Sequence, residues 1–298
     1  MLTSEFKYYN SPFKEYNLVQ SKVIPWIDKD YNLVIAFATA TGKSALATAA
    51  FSYHLKTTTK RVVYLCPFKA LVDEKYNDWT NDAQLSQYGI IKCDGENKVS
   101  INDLEKNRFA IMTIESFDVK TRSFPLYKDY LNSIDCVVLD EAQILGERKG
   151  VAEACLMRLT QINPNIRLIL LSATIGNPEL IARWIKSLNS KPTKWFASEW
   201  RPRKIDINLY EVSSYSEKIN QTIALLKEPC DGQTLVFVHA KQMGKEIIKR
   251  LKKKKISANF HHAGVGKNKR HEIEQGFSSG EDKILISTSS LSAGVNLS

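Results

Sequence analysis

The chain has 298 residues, of which 43% are hydrophobic and 25% charged, with 13 glycines and 9 prolines, a composition that excludes a disordered or fibrous polymer. The length suffices for about two domains with sizeable cores. No apolar run approaches the ~20 residues of a membrane span, the start MLTSEFKYYN has no signal-like apolar segment, and a net charge of +10 favours either a polyanionic partner or simply a basic, soluble surface.

Residues Phe13 to Ile27 read as a helix with an apolar stripe, on which Gln20 stands out. A side-chain amide both donates and accepts, so Gln20 is a candidate for the edge of adenine, with a solvated helix position as the alternative. Asn32 to Phe51 (NLVIAFATATGKSALATAAF) follow, an apolar strand, a short loop and a helix-forming stretch. That order is the setting of a Walker A loop. Backbone N–H groups from Thr39, Ala40, Thr41 and Gly42, with the positive end of the next helix, would cradle phosphate oxygens. Lys43 would reach the β- and γ-phosphates of ATP, and the Ser44 hydroxyl would ligate Mg²⁺. Phe37 stands where the first glycine of G-x-x-x-x-G-K-[ST] is expected, so a small-residue turn is the competing reading of the loop.

Arg61 to Cys66 form a β-branched strand that stops at Pro67, and a helical stretch begins near Lys69. Ligands collect at such strand ends in open α/β sheets. Here the chain resembles the superfamily 2 helicases, whose motif Ia is similar to Pro67-Phe68-Lys69-Ala70-Leu71, and most closely their Ski-like branch, which includes archaeal helicases that process stalled DNA forks. The resemblance implies that Thr113-Ile114-Glu115-Ser116 is motif Ib, gripping a strand backbone through Thr113 and Ser116 while Glu115 caps or orients. Cys93 to Asn97 read as a turn between the two motifs.

Ile134 to Asp140 are a nearly continuous apolar strand ending in Asp140-Glu141-Ala142-Gln143, the arrangement of a Walker B motif. Asp140 would hold Mg²⁺ and Glu141 would activate the attacking water. Gln143 stands where this branch usually has His, which keeps hydrogen bonding but removes an ionisable ring. Arg148-Lys149-Gly150 loosely resembles an R-G pair of the branch. Ser172-Ala173-Thr174, closing the next strand, resembles motif III, which couples the nucleotide to the strand-gripping surface.

Asn189 to Lys204 carry Pro192, Trp195, Trp200 and Pro202 and interrupt the alternation of strands and helices, which divides the chain into 1–200 and 201–298. Ser198-Glu199-Trp200-Arg201-Pro202 resembles the S-x-W-R-P segment of the fork-processing helicases. A second α/β unit is expected from a strand at Ile205 to Tyr210, a helix near Ser216 to Lys227, a strand at Thr234 to Val238 and a helix at Met243 to Leu251. The run Lys252 to Lys255 reads as a solvated helix end. His261-His262-Ala263-Gly264 resembles a family block near nucleic acid, which implies strand contacts at His262 and Gly264. Thr288 to Leu297 resemble motif V, which implies strand contacts at Thr288 and Ser289 and nucleotide contacts at Gly294 and Asn296.

The five cysteines are scattered without a C-x-x-C pair, which points to a reducing cytoplasm, nucleoid-associated or free, and away from structural zinc. The fold expected is α/β, two RecA-like P-loop lobes with parallel sheets, the second one short. The resemblance implies an ATP-dependent, 3′-to-5′ helicase or translocase acting on single-stranded or forked nucleic acid, DNA favoured over RNA, with no membrane partner. An RNA helicase and an ATP-gated binding module are the alternatives. The family places an arginine-bearing motif VI and further domains after motif V, so full activity is expected to need these or a partner protein.

Overall fold

The computed structural model describes residues 1–146, 150–173, 175–228, 230–288 and 291, apart from the side chain of Lys267. Arg148, Lys149, Thr174, Ser289, Gly294 and Asn296 lie outside the described residues. The chain divides into two units, Met1–Lys204 and Ile205–Ser298.

In the first unit the short apolar runs become the strands β1 (Asn32–Phe37), β2 (Arg61–Cys66), β3 (Ile90–Cys93), β4 (Phe109–Thr113), β5 (Ile134–Leu139), β6 (Arg167–Ser172) and β7 (Thr193–Ser198). They form one sheet in the order β3-β4-β2-β5-β6-β1-β7, and each neighbouring pair is parallel. The connecting helices are α1 (Gln20–Val23), α2 (Lys43–Thr57), α3 (Lys69–Thr80), α4 (Ala83–Ser86), α5 (Ile101–Lys106), α6 (Ile114–Arg122), α7 (Phe124–Asn132), α8 (Val151–Ile162) and α9 (Pro178–Asn189). Leu33, Ile35 and Phe37 of β1 join one apolar cluster with Leu46 and Phe51 of α2, while Val34 joins a second with Phe117 of α6 and Leu156 of α8. A strand buried on both faces needs no polar alternation, which is why β1, β4 and β6 read as continuous apolar runs.

Before β1 the structure departs from the expected helix over Phe13 to Ile27. Asn17 Oδ1 accepts from the backbone N–H of Val19 and Gln20, and regular helix starts only at Gln20. Pro25 then sits in a single 3₁₀ turn, Ile24–Trp26. This segment is fastened by a residue of β6, the strand beside β1. Arg167, the first residue of β6 and 2% exposed, donates to the carbonyls of Trp26 (2.9 Å), Ile27 (2.5 Å) and Tyr31 (2.8 Å). Its Nη1 also lies 3.3 Å from His54 Nε2, and His54 Nδ1 bonds Asp135 at 2.6 Å.

The second unit contains α10 (Tyr215–Leu225), β8 (Thr234–Phe237), α11 (Lys241–Lys253), β9 (Asn259–His261), α12 (Lys267–Ser278) and β10 (Ile284–Ser287). Its sheet is parallel in the order β8-β10-β9. Ile219, Ile223, Met243, Ile247 and Leu251 pack against Ile286 of the central strand. Gly244 is where α11 crosses β9 most closely, because a Cβ there would lie 2.2 Å from the Phe260 ring. The strand expected at Ile205 to Tyr210 does not form. Its alternation of Ile205, Ile207 and Leu209 fits a strand, but a strand forms only by pairing, and the segment pairs with neither outer strand, β8 or β9. Ile207 and Leu209 are 80% and 93% exposed.

Candidate nucleotide and nucleic-acid sites

β1, β5 and β6 are neighbours in the sheet, with β6 in the middle, so the segments leaving their C-terminal ends meet. The loop after β1 turns through left-handed residues at Ala40 (φ 60°) and Gly42 (φ 76°), and α2 starts at Lys43. Only glycine fits at Gly42, since a Cβ would come within 2.4 Å of Gln20 Nε2. Phe37 does not obstruct the loop, because its ring points into the core at 1% exposure and only its carbonyl faces the site. Lys43 Nζ donates to Phe37 O (3.0 Å) and Ala38 O (3.1 Å), and Thr41 Oγ1 donates to Ala38 O at 2.8 Å.

Gln20 has a second task beyond the one expected. Its Nε2 donates to Gly42 O at 3.0 Å and its Oε1 accepts from Asn17 N at 3.0 Å. Asn17 Nδ2 in turn donates to Thr41 O at 2.8 Å. The amide therefore braces the loop, and one N–H and one lone pair of its full capacity remain for a base edge.

The end of β5 supplies the acids. Asp140 is 7% exposed, its carboxylate accepts from the Tyr64 hydroxyl of β2, and its Oδ1 accepts from Glu141 N at 2.9 Å. Burial raises the Asp140 pKa, while the Tyr64 hydrogen bond and Lys43 hold it down and Glu141 pushes it up. The Lys43 pKa is lowered, first by burial, against the opposing pull of Glu141 and Asp140. Ammonium and carboxylates thus feel one another across the site. Glu141 has φ 51°, and its carboxylate accepts from Gln143 Nε2. Gln143 Oε1 accepts from Ser172 Oγ of β6 at 2.6 Å. Ser172, Gln143 and Glu141 make a continuous polar chain, with Ala173 next to it in sequence. The Ser44 hydroxyl and Asp140 carboxylate are hard oxygen donors of the kind Mg²⁺ takes, and Asp140 forms no ion pair among the described residues, so the donor set fits that ion.

A separate groove opens at the ends of β2 and β4. Pro67, Lys69, Thr113, Glu115 and Ser116 line one cavity of about 780 Å³, together with Lys98 and Lys120. Thr113 caps α6 by accepting from Ser116 N at 3.3 Å, and donates to Ser116 Oγ at 2.9 Å. Lys69 is ion-paired with Glu96, a residue of the turn that Asp94 shapes by accepting from Glu96 N and Asn97 N. In the second unit, His261 is buried and bonds Glu274 through Nε2 at 2.8 Å. His262 is the outward member of the pair: Gly264 N donates to its Nδ1 at 3.0 Å. Its pKa is lowered by desolvation and by Lys241 and Lys245. Thr288 N donates to His261 O at 3.2 Å, which brings motif V to the end of β9. Among the described residues no group of three or more His, Cys, Asp or Glu could hold a metal.

Two residues escaped the sequence reading. Tyr64 lies inside an apolar strand, where nothing in the pattern marks a polar duty. Arg201 belongs to the S-E-W-R-P segment, and its Nη1 donates to Thr39 Oγ1 of the loop at 3.1 Å.

Residues 17–181 match the DEAD/DEAH box helicase family, and residues 217–298 match the helicase conserved C-terminal domain. The chain is 27% identical to the ATP-dependent DNA helicase MER3 of Saccharomyces cerevisiae over 96% of its own length and 27% of that protein's. It is 29% identical to the ATP-dependent DNA helicase Hel308 of Pyrococcus horikoshii over 90% of its own length and 42% of that protein's. It therefore spans well under half of these curated relatives. The resemblance to Ski-like superfamily 2 helicases holds in both. Among solved structures, the DUF1998 helicase MrfA bound to DNA and AMPPNP superposes with a TM-score of 0.74 at 20% identity, over 96% of this chain and 43% of that one. Dbp5 of S. cerevisiae bound to RNA and ADP BeF3 superposes with a TM-score of 0.67 at 17% identity, over 96% and 75%. Those two likenesses are of fold.

Proposed function

The chain belongs to the DEAD/DEAH box helicase family, and from that premise we propose that it is part of an ATP-hydrolysing motor that moves 3′-to-5′ along single-stranded DNA. The observation that carries the proposal is the placing of Lys43 after β1 and of Asp140 and Glu141 after β5, on either side of β6, near enough that both acids oppose the lowering of the Lys43 pKa and Lys43 lowers that of Asp140. The first unit, residues 1–204, is the ATP-binding lobe and 205–298 belong to the second. The loop N–H groups and Lys43 hold the phosphates, and Gln20 adds the adenine edge to its bracing of the loop. Ser44 and Asp140 hold Mg²⁺, which when bound neutralises phosphate charge. Glu141 orients and deprotonates the attacking water. Gln143 and Ser172 report the state of that carboxylate to β6, whose end continues into motif III. The strand-binding residues of the first lobe are Pro67, Lys69, Thr113 and Ser116, and the second lobe offers its own set in His262, Gly264 and Thr288. DNA is preferred because the relatives that match over most of this chain are named DNA helicases.

Steady-state ATP hydrolysis with and without DNA and RNA oligonucleotides tests this, beside Glu141→Gln. Stimulation by single-stranded DNA, reduced by about 10²-fold or more in Glu141→Gln, is expected. Stimulation by RNA alone would transfer the motor to the other polymer. Neither turnover nor ATP-dependent strand binding would sink the proposal.

A further inference from the structure

β7 runs parallel to β1 with Ser198 opposite Phe37. The residues after Ser198 therefore leave the sheet at the same edge and level as the loop after Phe37. Two contacts fix their course. Trp200 N donates to Ser198 Oγ at 3.2 Å, and the indole packs against the cluster that holds Phe37 and Leu46. Pro202 follows, with its φ set by the ring. Arg201, held between them, lays its guanidinium on Thr39 Oγ1.

Arg201 forms no ion pair among the described residues. It acts on the same loop as Lys43, since Thr39 is the residue after Ala38, whose carbonyl accepts from Lys43 Nζ. Two cations thus converge on one short loop, and the partners they find there are neutral oxygens: Phe37 O and Ala38 O for Lys43, and Thr39 Oγ1 for Arg201. Like charges held together repel, and a polyphosphate between them turns that cost into attraction. Thr39, which Arg201 touches, lies in the chain between the carbonyls of Phe37 and Ala38 that hold Lys43 Nζ and the start of α2 at Lys43. A P-loop lysine reaches the outer phosphates of a nucleotide.

We propose that Arg201 is a phosphate-binding residue, presented in cis by the Trp-Arg-Pro segment to the terminal phosphate of a nucleoside triphosphate. The proposal rests on the nucleotide site described above. The guanidinium fork takes two oxygens of one phosphate, whereas Lys43 acts as a point charge. It gives the segment a duty in telling ATP from ADP.

The test is equilibrium binding of Mg²⁺–ATP and Mg²⁺–ADP to the whole chain and to its Arg201→Ala, Arg201→Gln and Arg201→Lys variants. Arg201→Ala should weaken ATP by roughly tenfold, the scale of a hydrogen bond between charged partners, and ADP by less than about twofold. Arg201→Gln can still donate to Thr39 but has no charge, and should behave like Arg201→Ala. Arg201→Lys should retain part of the preference. Wild-type ATP affinity in Arg201→Gln, or equal losses for ATP and ADP in Arg201→Ala, would reduce Arg201 to a prop for the loop and overturn the proposal. A wild-type chain that binds neither nucleotide would remove the site itself, a different failure.

Discussion

Tyr64 carries a hydroxyl into the apolar interior of β2, where burial raises its own pKa well above normal and its proton goes to Asp140. That bond lowers the pKa of a carboxylate which burial raises. Binding a metal requires the carboxylate to be deprotonated, so the hydroxyl would extend the Mg²⁺ binding proposed above to lower pH. In Tyr64→Phe the Asp140 pKa should rise further, and the acid limb of Mg²⁺-dependent ATP hydrolysis should move to higher pH, with about 1–3 kcal/mol of stability lost in denaturant titration. An unmoved acid limb would leave Tyr64 with packing alone. Single residues show both how far the sequence could be read and where it stopped. The positions of Lys43, Ser44, Asp140 and Glu141 were legible because each follows an apolar run, and the structure does set them after β1 and β5, on either side of β6. At Phe37 the motif's missing glycine looked consequential, yet the left-handed turns fall at Ala40 and Gly42, and a residue that contributes only a carbonyl tolerates a ring. Tyr64 and Arg201 were illegible for the same reason: each acts on a neighbour distant in sequence, and only strand order brings the two together.

Elements differ in how much of their reason lies within themselves. β1, β2, β5 and β6 are covered on both faces and announce themselves as apolar runs. Ile205 to Tyr210 has the alternation of a strand, but its form depends on a partner edge, which local pattern cannot supply. The segment before β1 is likewise set from outside, by the Asn17 cap and by Arg167 clamping three carbonyls. The clamp includes His54, and because Arg167 is always a donor, His54 Nε2 must accept, which leaves the ring neutral with Nδ1–H on Asp135. Burial lowers the His54 pKa below 6.5, with Asp135 opposing and Arg167 adding to the effect. Between that lowered value and 6.5 the unfolded chain takes up a proton that the folded chain refuses. This contribution to stability is therefore complete above 6.5 and is lost as the pH falls below it. The urea midpoint of the first unit should be lower at about pH 5.5 than at about pH 7.5. A midpoint that rises on acidification would contradict the assigned tautomer.

For the whole molecule, the net charge of +10 gains meaning from where three of its lysines stand. Lys69, Lys98 and Lys120 line the groove with the candidate strand contacts. If about three phosphates displace counterions there, single-strand affinity should fall about tenfold or more between roughly 50 and 200 mM salt. A flat salt response in a fluorescence anisotropy titration would mean that the groove does not hold a backbone. The sheet order has a consequence of another kind, in time. β1 is an early strand, yet its two neighbours are β6 and β7, with Leu33 opposite Ile169 and Phe37 opposite Ser198. On a ribosome, the strand that carries the phosphate loop leaves the tunnel long before either neighbour exists. Meanwhile β2, β4 and β5 can already pair among themselves. The ATP-binding loop is thus nearly the first part of the lobe to be synthesised and among the last to be seated. Until β6 has emerged β1 is an apolar strand with both edges open, and one edge stays open until Ser198 follows, which makes it the nascent chain's point of greatest exposure to aggregation or chaperone capture.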